Sequence, residues 1–168
     1  MFILMKYKPL PSLEIINERY VYDPLTGVFS HKKAGAKFGK PAGGKDKTGI
    51  SLYFGEHGRF KAHRIAYFLQ TGEDPVDALI DHKDQNPFNN EWLNLRKANS
   101  EENGWNSSRA NGQSGVKGIT IENGKFKARI RVGSGKRINL GRFDTIEEAS
   151  EALRVAREVY HGEFANSI

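Results

Sequence analysis

Residues 80–106 read IDHKDQNPFNNEWLNLRKANSEENGWN, and the rest of the chain is best understood from this stretch outward. Apolar residues lead into Asp81 and His82, and the turn-prone residues 84–87 follow directly. Neighbouring residues of a regular strand point to opposite faces, so both side chains can serve one centre only where the strand ends or twists. The loop that begins at residue 84 permits this. The pattern therefore predicts a polar cluster at the end of a strand.

The second half of the stretch predicts a return strand and the start of a helix. Residues 93–98 can pair with the first strand as a hairpin. Either Asn99 or Ser100 can cap the following helix, which places Asn103 in its first turn. Asn106 lies three residues further on and shares that face. A side chain in the first turn can face back over the hairpin.

These residue types suit hydrolysis of a phosphodiester. Such a reaction needs a nucleophilic water, a base that deprotonates it, and positive charge that stabilises the developing oxyanion. Asp81 offers an anionic metal ligand, and His82 offers an imidazole that can act as a base near neutral pH. Each residue type alone is common in plain turns, so the prediction depends on the combination in its strand-to-helix context.

Over residues 26–106 the sequence resembles the HNH endonucleases, and most closely their phage and intron-homing branch. The likeness lies in the order Asp-His, then Asn-Leu-Arg, then Glu-Asn. It implies a ββα-metal site around a single divalent cation, with Asp81 and Asn103 as metal ligands. His82 would be the general base, and Asn94 would hold the active-site loop and orient that base. An oxygen-only ligand set favours Mg²⁺ or Mn²⁺ and makes zinc an unsuitable ion.

Other residues near the site have more ordinary interpretations. His63, Arg64 and Asn106 are possible members of the site; a structural role between hairpin and helix is favoured for His63, with phosphate contact as the alternative. Residues 31–33, His-Lys-Lys, either touch DNA phosphates or form a solvated surface. Three aromatic residues are expected to fill the core rather than stack on bases, namely Phe88, Trp92 and Trp105. His57 and His161 lie in turn contexts and are assigned no role.

Residues 125–131, KFKARIR, alternate strictly between cations and apolar residues. A period of two places all the cations on one face of a strand and the apolar residues on the other. Residues 116–121 and 137–141 predict two more strands, and an amphipathic helix over residues 146–160 can cover the apolar face. Residues 115–143 hold eight Lys or Arg and one acid, Glu122. Such a cationic sheet can enter the major groove of DNA.

Residues 114–166 resemble the DNA-binding domain of the plant ethylene-response factors, the APETALA family, which is also found attached to phage HNH nucleases. The matching segments include Lys117-Gly118-Ile119 and the run from Leu140 to Thr145. This resemblance implies a three-stranded antiparallel sheet packed on one helix. The alternation and the resemblance together assign eight DNA-facing residues: Lys117, Thr120, Lys125, Lys127, Arg129, Arg131, Arg137 and Asn139.

The predicted fold class is α+β with two domains. Residues 1–106 form the nuclease domain, with a ββα-metal core at about 78–106, and residues 115–168 form the DNA-binding domain. The polar residues 107–114 are interpreted as a linker. Further toward the amino terminus, the pattern predicts a helix after Ser12, a mobile basic loop over residues 34–49, and a hairpin over residues 50–62 that leads into a helix.

The composition limits where the chain works and on what. Its 168 residues carry a net charge of +6 and no cysteine, which excludes disulfides and thiolate chemistry. Without a secretory or membrane-spanning run, a soluble protein of the cytoplasm is expected, that of the host cell if a phage encodes it. Double-stranded DNA is the expected partner, and a monomer is favoured over a dimer. The alternative to a homing-type endonuclease that nicks or cuts DNA is a catalytically inactive DNA-binding regulator.

Overall fold

The computed structural model describes residues 8–108, 110 and 112–166. Its contacts divide the chain into two compact units, Met1–Ala98 and Asn99–Ile168. The predicted linker, residues 107–114, lies inside the second unit, and its residues 109 and 111 are outside the described part of the chain. The units therefore divide one helix earlier than predicted, because the helix after Asn99 packs with the carboxy-terminal residues.

The described part of the first unit, residues 8–98, contains two α-helices and seven strands. In chain order these are α1 (Leu13–Arg19), β1 (Tyr20–Tyr22), β2 (Phe29–His31), β3 (Gly44–Asp46), β4 (Gly49–Tyr53), β5 (Arg59–Lys61), α2 (Ala62–Thr71), β6 (Leu79–His82) and β7 (Leu95–Ala98). The strands form three antiparallel sheets: β1 with β2, β3-β4-β5, and β6 with β7. One apolar cluster joins these sheets to both helices, with fully buried Ile16, Leu52, Phe54 and Ile65 at its centre.

Local sequence signals explain most boundaries in this unit. Ser12 caps α1 by accepting a hydrogen bond from the Ile15 amide, and Gly72 ends α2 in the left-handed conformation. The predicted hairpin over residues 50–62 is confirmed as β4 and β5. The expectation of an unstructured loop over residues 34–49 is wrong in part, because β3 forms there by pairing with β4. A short 3-10 helix, Trp92–Asn94, replaces the start of the predicted return strand.

Where the structure describes it, the second unit contains two α-helices and one sheet. The elements are α3 (Ser100–Asn106), β8 (Ile119–Glu122), β9 (Lys125–Arg131), β10 (Arg137–Phe143) and α4 (Ile146–His161). The three strands are antiparallel in the order β10-β9-β8. Both helices begin with a capping box, formed by Asn99 with Glu102 and by Thr145 with Glu148.

The apolar residues of the second unit lie on one face of its sheet. Ala128 and Ile130 of β9 are buried against Ala149 and Leu153 of α4, as the alternation predicted. Gly118 permits this close packing: a Cβ there would lie 2.7 Å from the Arg129 carbonyl oxygen, and its φ is +94°. In the described part of the chain, no helix is long and apolar enough to cross a membrane.

Candidate active site

The antiparallel pair β6 and β7 positions the first candidate residues. In its register Asp81 lies opposite Arg96, and His82 lies opposite Leu95. The strand ends at His82, which is where the turn signals predicted it to end. Asp81 and His82 are both buried, with 7% and 8% of their surfaces exposed. The hairpin predicted from residues 80–98 is therefore present, and it carries both side chains at its end.

Asp81 forms a buried ion pair with Arg96. The Arg96 Nε and Nη2 atoms lie 2.9 Å and 2.8 Å from the same carboxylate oxygen, Oδ2, and both side chains are less than 10% exposed. Residues directly opposite in an antiparallel pair have neighbouring Cβ atoms, so the contact follows from the register. Sequence analysis missed Arg96, although its place in a return strand opposite an acid was an available signal. Removal of Arg96 would leave the buried Asp81 carboxylate without its positive partner, which would strongly destabilise the folded protein.

His82 is oriented by Asn90, which sequence analysis also missed. The His82 Nε2 atom lies 3.0 Å from the Asn90 Oδ1 atom. An amide oxygen only accepts, so Nε2 carries the proton of the neutral ring and Nδ1 is the basic nitrogen. Asn90 is 1% exposed, and its backbone carbonyl oxygen accepts a hydrogen bond from the Tyr22 hydroxyl at 2.7 Å. Gly27 lies against the backbone of Asn90, where an added Cβ would approach within 2.4 Å.

His63 packs edge-on against His82, with 5.0 Å between the ring centroids. Burial, followed by the charge of His82, lowers the pKa of His63 to about 3, so the ring is neutral near pH 7. Its buried Nδ1 atom has no hydrogen-bond partner among the described residues. The expected structural role between helix and hairpin fits this packing. A neutral ring is a poor candidate for phosphate contact.

Asn94 ties together the loop that follows His82. Its Nδ2 atom donates to Asp84 Oδ1 at 2.9 Å and to the Asn89 carbonyl at 2.8 Å, and its Oδ1 atom accepts from the Asp84 amide at 3.1 Å. Burial alone would raise the pKa of Asp84, but hydrogen bonds from Asn86, Asn89 and Asn94 lower it below its ordinary value. The loop therefore holds a charged Asp84 at neutral pH. Asn94 contacts this loop, while the direct partner of His82 is Asn90.

Arg64 and Phe88 lie near the hairpin. Arg64 is buried and donates to the carbonyls of Ala78 and Val76, so it supports the segment before β6, and its place in the site stays a prediction. Phe88 is 42% exposed, so the prediction of a core residue is wrong there; it lies on the surface beneath the Lys45 ammonium, 5.9 Å from its ring centroid. Trp92 does pack against the core, next to Tyr67.

Asn103, the second predicted metal ligand, belongs to the second unit. It lies in the first turn of α3, as predicted, with an exposed side chain and an amide that donates to the Asn99 carbonyl. Asn106, at the end of the same helix, is buried. Among the described residues there is no group of three or more His, Cys, Asp or Glu side chains that could hold a metal. The predicted pair of one carboxylate, Asp81, and one amide, Asn103, is not a group of this kind.

The outer face of the second unit's sheet is cationic but substantially paired. Glu122 lies within ion-pair distance of Lys127, Arg142 and Arg129, at 3.1, 3.3 and 3.9 Å, and its hydrogen bond from Lys127 lowers its pKa. Lys125 pairs with Asp144. Thr120 accepts from Arg129 at 3.2 Å. The exposed residues on this face that have no acidic partner among those described are Arg131, Arg137 and Asn139.

Lys117 does not lie with these residues. Its Nζ atom donates to the carbonyls of Gly104, Trp105 and Ser107, at the end of α3. Burial, together with Arg157 and Arg131, lowers its pKa. The structure therefore places Lys117 as a helix cap, and its contact with DNA stays a prediction. His161 is also engaged: it is buried and stacks on Trp105.

Six lysines in the first unit form a second cationic segment, over residues 32–47. They are Lys32, Lys33, Lys37, Lys40, Lys45 and Lys47, and all six are exposed. Within the described residues none of them has an acidic partner, since Asp46 binds Lys61 and Thr48. The basic sheet is therefore not the chief unpaired positive surface of the chain.

Comparison with known proteins identifies the domain that contains the hairpin. Residues 60–105 match a family model described as HNH endonuclease, so this segment is similar to HNH endonuclease domains. The match includes Asp81, His82, Asn94 and Asn103, and it runs across the division between the two units.

A relative in Acanthamoeba polyphaga mimivirus, an uncharacterized HNH endonuclease, is 34% identical over 120 residues. That alignment covers 71% of this chain and 62% of the relative, so the chain spans less than two thirds of the relative's length. No solved structure gives a significant match. The resemblance to HNH endonucleases is confirmed for this domain, whereas the resemblance of residues 114–166 to ethylene-response factors finds no support in these comparisons.

Proposed function

We propose that this chain is a divalent-metal-dependent endonuclease of the phage homing type, which hydrolyses phosphodiester bonds in double-stranded DNA. The proposal rests on the position of Asp81 and His82 at the end of β6, next to a loop that Asn94 holds. These residues lie inside a segment that matches HNH endonucleases. A monomer that acts in the cytoplasm remains our prediction.

His82 is the general base in this proposal. The contact of its Nε2 atom with Asn90 orients the ring, and we assign to Nδ1 the role of taking a proton from water. Asn90 itself is fixed through Tyr22 and the close approach of Gly27, so the ring orientation is set before substrate binds. His63 supports the ring from one side and stays neutral, which avoids a second positive charge that would lower the basicity of His82.

Asp81 and Asn103 would hold the cation, in agreement with a hard oxygen donor set. Asp81 is buried at the strand end, while Arg96 already balances its charge on one oxygen. Affinity for a cation should therefore be low until a phosphate adds negative charge and a further ligand. The bound cation would supply Lewis-acid stabilisation of the charge that develops on the phosphate. Mg²⁺ and Mn²⁺ fit this donor set better than zinc.

Two surfaces support a DNA substrate. Arg131, Arg137 and Asn139 on the outer face of β9 and β10 can contact base edges and phosphates in the major groove, with Thr120, Lys125, Lys127 and Arg129 beside them. The unpaired lysines of residues 32–47, which include the His-Lys-Lys run noted in the sequence, offer sequence-independent phosphate contacts. Site choice would then come from the sheet and part of the affinity from the lysines.

The alternative is a DNA-binding regulator without nuclease activity. The observation that favours it is the buried Arg96, which occupies the carboxylate that a metal would need. Incubation of supercoiled plasmid bearing the cognate site with Mg²⁺ or Mn²⁺ separates the two functions. The endonuclease should give nicked or linear product that EDTA prevents. Intact plasmid in both metals, together with preserved DNA binding, would establish the regulator instead.

A further inference from the structure

Helix α3, which carries Asn103, is held by the carboxy-terminal unit through contacts at both of its ends. At its first turn, the Glu101 carboxylate accepts a hydrogen bond from the Gly135 amide at 3.1 Å. Gly135 lies in the turn between β9 and β10. At its last turn the helix meets Lys117 and His161. A helix of seven residues is marginal by itself in water, so tertiary contacts of this kind decide its position.

The contact at the carboxyl end of α3 is a buried lysine cap. The Lys117 Nζ atom donates to the carbonyl oxygens of Gly104 and Ser107, each at 2.6 Å, and to that of Trp105 at 3.3 Å. Carbonyls in the last turn of a helix lack partners inside the helix, and a cation there also interacts favourably with the helix dipole. The Arg157 guanidinium of α4 donates to the Lys117 carbonyl at 2.9 Å, which fixes the backbone that carries the cap.

A second link joins α3 to the central strand of the sheet. The rings of Trp105 and His161 stack almost in parallel, with 4.6 Å between centroids and 5° between planes. The His161 Nε2 atom lies 2.7 Å from the Arg131 carbonyl oxygen, at the end of β9. The same residue, Arg131, presents its side chain among the sheet cations proposed to meet DNA. A continuous path of packed groups therefore runs from the sheet to α3.

We propose that Lys117 and His161 are positioning residues that hold α3, and with it Asn103, in the orientation that metal-dependent cleavage requires. This inference rests on the proposed function. It gives the carboxy-terminal unit the task of holding the helix that carries Asn103, in addition to reading DNA. Contacts of DNA with the sheet would then bear directly on the helix that supplies a metal ligand.

Lys117→Met tests the inference in the full-length chain, because it removes the ammonium and keeps most of the apolar stem. Amide hydrogen exchange of residues 103–106 should become at least about tenfold faster, as expected when hydrogen bonds to a charged group are lost. Lys117→Arg should restore slow exchange. The matched control for this measurement is Lys125→Met, because Lys125 is an exposed lysine of the same sheet whose partner is Asp144. This variant should leave the amide exchange of residues 103–106 unchanged.

Cleavage provides the second readout. Lys117→Met should raise the Mg²⁺ concentration for half-maximal cleavage and lower kcat on the order of tenfold, with little change in KM for DNA. If Lys117→Met fails to fold, Glu101→Gln is tested in its place. This substitution at an exposed residue weakens only the hydrogen bond from the Gly135 amide to α3.

Unaltered exchange in α3 in these variants would overturn the inference whether or not the protein cleaves DNA. A wild-type protein that is inert toward plasmid but shows the exchange effect would refute the proposed function and leave the attachment of α3 established.

Discussion

At the scale of single residues, Asp81 and His82 are neighbours in the chain but have separate partners. Asp81 pairs across the hairpin with Arg96, and His82 bonds to Asn90 in the loop. The division follows from strand geometry, which sends consecutive side chains in different directions. Arg96 therefore neutralises the Asp81 carboxylate while Asn90 orients the His82 ring, and the two residues do not compete for one partner.

His82→Ala removes the proposed base and should lower the cleavage rate by about 10² to 10⁴-fold. DNA affinity should not change, because His82 is buried and would meet the attacking water instead of the phosphate backbone at large. Plasmid cleavage and fluorescence anisotropy with labelled duplex measure the two effects. His57→Ala, in an exposed turn, is the control. A parallel loss of affinity in His82→Ala would indicate a structural histidine.

At the scale of elements, local sequence signals were sufficient where a boundary depends on capping. The boxes at Asn99 and Thr145 are both present, and each satisfies amides that the first helical turn leaves without partners. Local sequence signals did not predict β3, because this strand depends on its pairing with β4. The exposure of Phe88 has the same origin, since its turn lies outside the apolar cluster.

Thr145→Ala should destabilise the carboxy-terminal unit by about 1 kcal/mol, because the Glu148 amide at the start of α4 loses its acceptor. The measurement is the midpoint of urea unfolding, monitored by circular dichroism. Thr145→Ser keeps the hydroxyl and should retain most of the stability. Equal midpoints for the Ala variant and the wild type would show that α4 is held by packing alone.

At the scale of the whole molecule, the distribution of charge matters more than the total of +6. Four cations of the sheet lie within ion-pair distance of Glu122 or Asp144, whereas the lysines of residues 32–47 have no acidic partners among the described residues. Among the described residues, the lysines of residues 32–47 are therefore the larger set of charges without an acidic partner that a polyanion could contact.

Binding to duplex DNA should weaken steeply with salt. If ~6 phosphates are neutralised, the logarithm of the binding constant should fall against the logarithm of salt concentration with a slope of about −5. The double variant Lys37→Gln, Lys40→Gln should flatten this slope by about 2 if both lysines contact phosphates. Lys97→Gln, whose lysine pairs with Glu73, is the control. A salt-independent affinity in the wild type would remove both cationic surfaces from the interface.

By itself, the sequence determined the parts whose causes are local. These are the hairpin and helix of residues 80–106, the alternation of residues 125–131, and the likeness to HNH endonucleases carried by Asp81, His82, Asn94 and Asn103. Period, capping and motif order are written in neighbouring residues, so a single chain is enough to recognise them.

Only the tertiary structure decided which partners these residues have. Arg96 neutralises Asp81, Asn90 orients His82, and Lys117 caps α3 where a DNA contact was predicted. Each contact joins residues from different elements, and its geometry depends on register, burial and packing that no short segment specifies. For the same reason α3 follows the hairpin in sequence but is held within the carboxy-terminal unit.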